Sequence, residues 1–231
     1  MTTIGLLGDD RGHHSHHELN ALVPRLNEEL GVAAKWLPSE SDFDVTAYDG
    51  IWLVPGSPYA DDDAVLAALH PVRTNAIPFL GTCGGMQYAV MEFLRAELGQ
   101  RATHAESDGE SDDNAVALLA CSLYGKESTV TPVADSRFAG WVGTEFAGMH
   151  YCNYAPTAAS IAALETAGVV VGARGEEGEA EVLEFPDHPF YVVSMFQPHI
   201  GASAGAPIHP LIRAFAGAVS ADGISAGSPA R

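Results

Sequence analysis

The chain has 231 residues, 30 of them acidic and 11 basic, for a formal charge of −19 and an isoelectric point near 4.6. Such a polyanion is repelled by nucleic acid and by anionic membrane surfaces, which excludes both as partners. Three cysteines are too few for a disulfide framework or a zinc site and fit a reducing cytoplasm, the first ten residues lack a basic, apolar leader, and no apolar run reaches membrane-spanning length.

Residues 3–7 form the first predicted strand, followed by GDDRGHHSHH and a helix to about residue 30. Strands are predicted over 33–37 and 50–54, a helix over 61–69 with Asp61 as its N-cap, and a strand over 77–80. Short β-rich runs spaced by helices indicate a parallel sheet with right-handed crossovers. Ligands of such sheets bind beyond the carboxyl ends of the strands, so residues 9–17, 56–59 and Cys83 are expected at one edge. In the second half, 106–114 (ESDGESDDN) is an exposed acidic loop. Strands are predicted over 116–133, 145–154, 168–173, 179–185 and 191–196, some antiparallel, with helices over 156–167 and 210–219. One domain spans 1–219, and the Gly, Ser and Ala-rich 220–231 is a disordered tail.

The most informative stretch is FLGTCGGMQYAVM at 79–91, an apolar run ending in a glycine-bracketed cysteine that continues with helical periodicity. This is the pattern of a nucleophile elbow: a strand delivers the chain to Gly81, Cys83 stands on the sharp turn, and Gly84 and Gly85 let the backbone fold back without Cβ clashes. At a helix N-terminus a thiolate is favoured by unpaired N–H groups and the positive end of the helix dipole. The cluster His13, His14, His16 and His17 falls at the same sheet edge. His13, His16 and His17 have helical ligand spacing, but no acidic ligand pattern completes a site, and neither a metal nor a cofactor is implied. Cys121 and Cys152, near strands of the second half, are expected to be packed core cysteines.

The chain resembles the class I glutamine amidotransferases, and within them the glutaminase domain of CTP synthase. It is most similar to a stand-alone group related to the CTP synthase C-terminal region, some members of which carry selenocysteine. The resemblance runs from about Ile4 to Val219 and rests on GIWLVPGSPY, FLGTCGGMQ, ATHAES, LACSLYG, MHYCNY and DHPFYVVSMFQP, in that order. It implies an α/β, flavodoxin-like fold: a mostly parallel central sheet flanked by helices, with an antiparallel addition in the second half.

The resemblance also implies a chemistry. The elbow cysteine, here Cys83, attacks the carboxamide of glutamine, forms a thioester and releases ammonia, and water then frees glutamate. Backbone N–H groups of Gly84 and of Gly56 in the PGS turn would hold the oxyanion. Gln87, Glu106, Tyr151 and Ser57 match the substrate side, Glu106 being suited to an α-ammonium group. The departure lies at the end, where F-H-P-E would supply the base and its orienting carboxylate. Here the residues are Phe196, Gln197, Pro198 and His199. A carboxamide can bind substrate but cannot accept a thiol proton, so Gln197 joins the binding residues and the triad is incomplete as written. His199, two residues on, is one candidate base. His150, which replaces the basic residue often preceding the tyrosine, is another, as acid, base or carboxylate contact.

Two function classes stay open: a cysteine-dependent hydrolase or acyl-transfer enzyme acting on glutamine or a related small amide, and a catalytically degenerate relative that binds a small molecule or a partner protein. Released ammonia would call for an ammonia-accepting partner enzyme. The sequence leaves a homodimer open. The 231 residues contain no GxxxxGK[ST] pattern, so CTP synthesis itself is not expected of them.

Overall fold

A computed structural model describes the backbone of residues 1–225 and the side chains of residues 1–220. The first half alternates strand and helix: β1 (Thr2–Leu7), α1 (His14–Leu30), β2 (Val32–Leu37), β3 (Gly50–Leu53), α2 (Asp62–Thr74), β4 (Phe79–Thr82) and α3 (Gly84–Ala96). The second half adds β5 (Thr103–His104), α4 (Ala105–Asp108), β6 (Asn114–Leu118), β7 (Lys126–Pro132), α5 (Arg137–Val142), β8 (Phe146–His150), β9 (Tyr154–Pro156), α6 (Ala158–Thr166), β10 (Val170–Arg174), β11 (Ala180–Glu184), β12 (Tyr191–Ser194) and α7 (Pro210–Ser225). No described helix is long and apolar enough to cross a membrane.

A nine-stranded sheet runs in the order β2-β1-β3-β4-β12-β11-β10-β7-β8. The five strands from β2 to β12 are parallel, and β11, β10, β7 and β8 extend the sheet antiparallel. The α/β architecture with its antiparallel addition is therefore as expected. A second, three-stranded sheet, β5-β6-β9, stands beside it.

Strand periodicity sorts side chains between two layers. Ile51, Leu53, Phe79, Tyr191 and Val193 face the core shared with Val65, Leu69 and Met86 of α2 and α3. Trp52, Leu80 and Val192 face the opposite core, with Leu19 and Leu22 of α1 and Leu211 and Phe215 of α7. Both faces are covered by helices, which is why these strands are apolar on both sides. Asp61 caps α2 as expected, its carboxylate accepting from the Ala64 N–H at 2.8 Å. Asp9 ties three loops at the sheet edge, accepting from the Ser39 N–H, the Ser39 hydroxyl and the Ala60 N–H.

Three expectations change. The run 116–133 is not one strand: β6 and β7 belong to different sheets, and the intervening loop is pinned to the 150–153 segment by Leu123 N–H to Cys152 O and Gly125 N–H to His150 O. The run 145–154 likewise divides, because the chain leaves one sheet at His150 and enters the other at Tyr154. Closing helix α7 continues to Ser225, past the expected end at 219, and the rest of the expected tail, 226–231, lies outside the described residues. In addition, the acidic loop opens with one helical turn, α4, capped by the His104 ring, which accepts from the Glu106 N–H.

Candidate active site

Cys83 joins β4 to α3 with φ 54° and ψ −110°, a backbone conformation that L side chains rarely adopt. Its own N–H is spent on Ser194 O at 2.8 Å, which locks the turn against β12. The flanking glycines are required by close packing. A Cβ on Gly81 would lie 2.8 Å from the Gly85 carbonyl oxygen, one on Gly84 would lie 2.9 Å from the Ser57 side chain, and one on Gly85 would collide with the Leu53 carbonyl oxygen. The strained turn is thus determined by its surroundings, as strain at functional positions generally is.

Cys83 opens into a cavity of about 170 Å³, lined also by Gly56, Ser57, Gln87, Glu106, Tyr151 and Gln197. The structure therefore brings together most of the residues singled out in the sequence. Arg11, His14, Tyr124 and Cys152 complete much of the wall. Around the rim the Tyr151 ring meets those of His14 and Tyr124, each at 5.5 Å between centroids.

Gln87 is an internal clamp. Its Oε1 accepts from the Ser57 hydroxyl at 2.9 Å and from His104 Nε2 at 3.0 Å, and its Nε2 donates to Tyr154 O at 2.7 Å. Because His104 Nδ1 accepts from the Glu106 N–H, the ring is neutral, and burial pushes its pKa down to about 4. One carboxamide thereby positions the PGS turn, strand β9 and the helical turn bearing Glu106. Glu106 itself is solvent-exposed, and partial desolvation followed by the charge of Asp62 raises its pKa.

His16 plays a similar bracing part. The ring is buried, Nδ1 accepts from the Arg11 N–H at 3.0 Å, and Nε2 donates to Pro55 O at 2.9 Å. Both nitrogens are occupied and burial lowers the pKa, so this ring fastens the start of α1 to the PGS turn instead of presenting a lone pair to a metal. Among the described residues, no group of three or more His, Cys, Asp and Glu side chains converges as metal ligands do.

The two candidate bases stand in very different places. His199 is not among the cavity-lining residues; its Nε2 pairs with the Ser15 hydroxyl at 2.9 Å, its ring packs edge-on against Trp52, and burial drives its pKa down to about 3. Extended geometry along 197–199 would have kept it on the same side as Gln197, but the chain after Gln197 turns. His150 is fully buried at the end of β8, and its Nε2 lies 2.9 Å from Glu181 Oε2, itself fully buried. Burial alone would lower the His150 pKa; the Glu181 hydrogen bond and charge outweigh it and raise the value. The Nδ1 of His150 has no hydrogen-bond partner among the described residues.

At Cys83 the thiol pKa is lowered. A hydrogen bond from Cys152 contributes most, burial opposes it, and the Gln197 carboxamide, the Gly84 N–H and the charge of His150 add to the lowering. Gln197 is buried, its N–H donates to Met149 O at 2.8 Å, and its Oε1 is without a partner among the described residues. Cys152 is buried as expected of a core cysteine, but it belongs to the cavity wall, whereas Cys121 is exposed in the loop between β6 and β7. Glu181, Cys152 and His104 carried no functional assignment in the sequence. His104 lies inside the ATHAES motif, and Glu181 is one of two carboxylates, with Glu184, in the five residues of β11, so the strand itself did not single it out.

Comparison with known proteins sets this geometry in a family. Residues 16–180 match the family model for glutamine amidotransferase class-I. The CTP synthase of Methanoculleus marisnigri is 30% identical over 199 residues, covering 81% of this chain and 37% of its own length. That of Nitratidesulfovibrio vulgaris is 27% identical over 248 residues, covering 92% of this chain and 45% of its own. The chain thus spans less than half the length of these curated relatives. Among solved structures, the glutaminase domain of Trypanosoma brucei CTPS with bound acivicin superposes with a TM-score of 0.81 at 22% identity, covering 96% of this chain and 94% of that one.

Proposed function

The chain belongs to the class I glutamine amidotransferases, and from that premise we propose that it is a cysteine hydrolase acting on the carboxamide of glutamine or a closely related small amide. The observation that carries the reading is the Cys83 thiol, held at a strained elbow with its pKa lowered and open to a cavity. A protein that only bound its ligand would have no use for that strain.

In this reading the Cys83 thiolate attacks the amide carbon, and the oxyanion forms against the N–H groups of Gly84 and Gly56. Gln197 Oε1, buried and unpartnered, accepts from the amide nitrogen of the substrate. Glu106 takes the ammonium of the amino-acid head, with Tyr151 beside it. His150, kept cationic by Glu181, supplies through Nδ1 the proton that departing ammonia requires and recovers it when water opens the thioester. His199 is assigned no proton transfer, since a ring buried on Ser15 with a pKa near 3 is too weak a base for a thiol proton. Ammonia released here would pass to an acceptor enzyme, and three free cysteines fit a reducing cytoplasm.

A second reading rests on one observation: His150 and Glu181 do not line the cavity, and Gln197, which does, cannot titrate. The fold would then be a small-molecule binder. Intact-mass spectrometry with 6-diazo-5-oxo-norleucine, run beside a glutamate-release assay, separates the two. Stoichiometric labelling at Cys83 with glutamate release, both lost in Cys83→Ala, is the expected result. Absence of labelling while a small alkylator still modifies Cys83 would remove glutamine as the substrate.

A further inference from the structure

We propose that Cys83 and Cys152 form an oxidisable dithiol that reduces a small hydroperoxide and closes into an intramolecular disulfide, a chemistry distinct from amide hydrolysis. It rests on the reading above only in requiring Cys83 to be a reactive thiolate.

The two sulfurs share one cavity wall and one backbone support. The Cys83 N–H donates to Ser194 O at 2.8 Å, and the Cys152 thiol lies 3.8 Å from Met195 O, the next carbonyl along the chain. Both residues are buried yet line the cavity, so a peroxide can reach them and bulk solvent does not surround them. With their supports on consecutive carbonyls and both side chains on one wall of a cavity of about 170 Å³, the two thiols are neighbours, and a disulfide asks that the sulfurs close to ~2.05 Å. The third cysteine, Cys121, is exposed on the loop between β6 and β7 and outside this cavity.

The pair is also polarised in the sense such chemistry needs. Cys83 is shifted toward the thiolate, while the same hydrogen bond and burial raise the Cys152 thiol well above its ordinary value. One sulfur is the nucleophile and the other stays protonated until called upon. For amide hydrolysis alone, a serine hydroxyl at 152 would donate the same hydrogen bond; what a thiol adds is the capacity to be oxidised.

The step balances. The Cys83 thiolate attacks the terminal oxygen of a hydroperoxide, the O–O bond breaks, and the alkoxide takes a proton from water in the cavity and leaves as the alcohol, giving a sulfenic acid. The Cys152 sulfur then displaces hydroxide from Cys83, its own proton completes a water molecule, and the S–S bond forms. The two thiols together lose two electrons, which the peroxide gains. A small dithiol resets the pair.

The test uses the full chain with Cys121→Ser, reduced and then given hydrogen peroxide at equimolar amount, quenched with an alkylator and mapped without reduction. The expected result is a Cys83–Cys152 peptide pair lighter by two hydrogens and restored by dithiothreitol. With Cys152→Ser added, dimedone should trap a sulfenic acid on Cys83 that wild-type spacing does not let persist. Equal dimedone labelling in both chains, or no cross-linked pair in the Cys121→Ser chain, would overturn the proposal. Glutamate release is followed separately. Cross-linking without amide turnover would remove the hydrolase reading and leave this one, and turnover without cross-linking would do the reverse.

Discussion

Neutralising Glu181 is the sharpest probe of how charge is held behind Cys83. At 2.9 Å the Glu181–His150 attraction is about 6 kcal/mol for an effective dielectric near 20. Burial of each ion opposes it by several kcal/mol, and the raised pKa of His150 says the attraction prevails. Glu181→Gln keeps the shape and a hydrogen-bonding oxygen but removes the charge, so burial is opposed only by the weaker effects of the Gly148 backbone and Cys83, and the His150 pKa should fall. Losing one partner of a buried pair costs about 3–5 kcal/mol. For a chain of this size that is a fall in Tm of roughly 6–20 °C, toward the lower end because the hydrogen bond survives. The pH dependence has a definite sign. A raised folded-state pKa means that the contribution of the pair is complete below the unfolded value near 6.5 and fades as pH rises through the folded value. The gap between wild type and Glu181→Gln should therefore be widest at pH 6 and shrink toward pH 9. Iodoacetamide rates read the same change at Cys83, whose alkylation midpoint should move to higher pH once the His150 charge is gone. Melting within about 1 kcal/mol of wild type at pH 6, with an unmoved alkylation profile, would refute the pairing argument.

Cys83→Gly removes a side chain from a left-handed backbone position whose strain is about 1–3 kcal/mol. The urea midpoint should rise by the equivalent of about 1 kcal/mol after lost packing, while amide turnover disappears; a lower midpoint would mean that the elbow is not strained. Gln87→Leu strands one buried group, the His104 ring N–H, and two half-buried ones at the cavity, the Ser57 hydroxyl and the Tyr154 carbonyl. At about 1–3 kcal/mol for the buried group and less for the two that water reaches, the urea midpoint should fall by the equivalent of about 2 kcal/mol, and a change below 1 kcal/mol would show that Gln87 is not the clamp described.

How much of this was legible in the residues depends on how local each signal is. Cys83 with Gly81, Gly84 and Gly85 was legible because an elbow is a contiguous pattern whose glycines answer to nearby backbone. The parallel half was legible for a related reason, since its strands are buried on both faces and separated by amphipathic helices. The failures came where one apolar run serves two sheets. Nothing in the composition of 116–133 or 145–154 announces that the chain changes sheet at 119–125 and 151–153, because that is decided by hydrogen bonds between those loops. Pairing is harder still: His150 and Glu181 are 31 residues apart on β8 and β11, strands that are not neighbours in the sheet. Gln87 matched a substrate contact by resemblance and does line the cavity; its three hydrogen bonds to protein groups distant in the chain were not legible from its helix.

The exchange of histidine for Gln197 need not be read as decay once the surrounding charges are counted. A histidine at 197 would stand beside Cys83 and against the cationic His150, and two like charges at one buried sulfur would disfavour each other. With a carboxamide there, the Cys83 sulfur keeps a hydrogen-bonding partner and gains no second titrating ring, and the His150 ring, its pKa raised by Glu181, favours the thiolate from behind. His199 follows the same logic from the other side. Sealed on Ser15 and Trp52 and kept neutral, it adds no positive charge to the cavity. Under the proposed function the proton-handling role would pass from the end of β12 to a pair contributed by the antiparallel strands β8 and β11. Activity that survives His199→Gln and is lost in His150→Gln would follow from that move, and the opposite order would return the base to the end of β12.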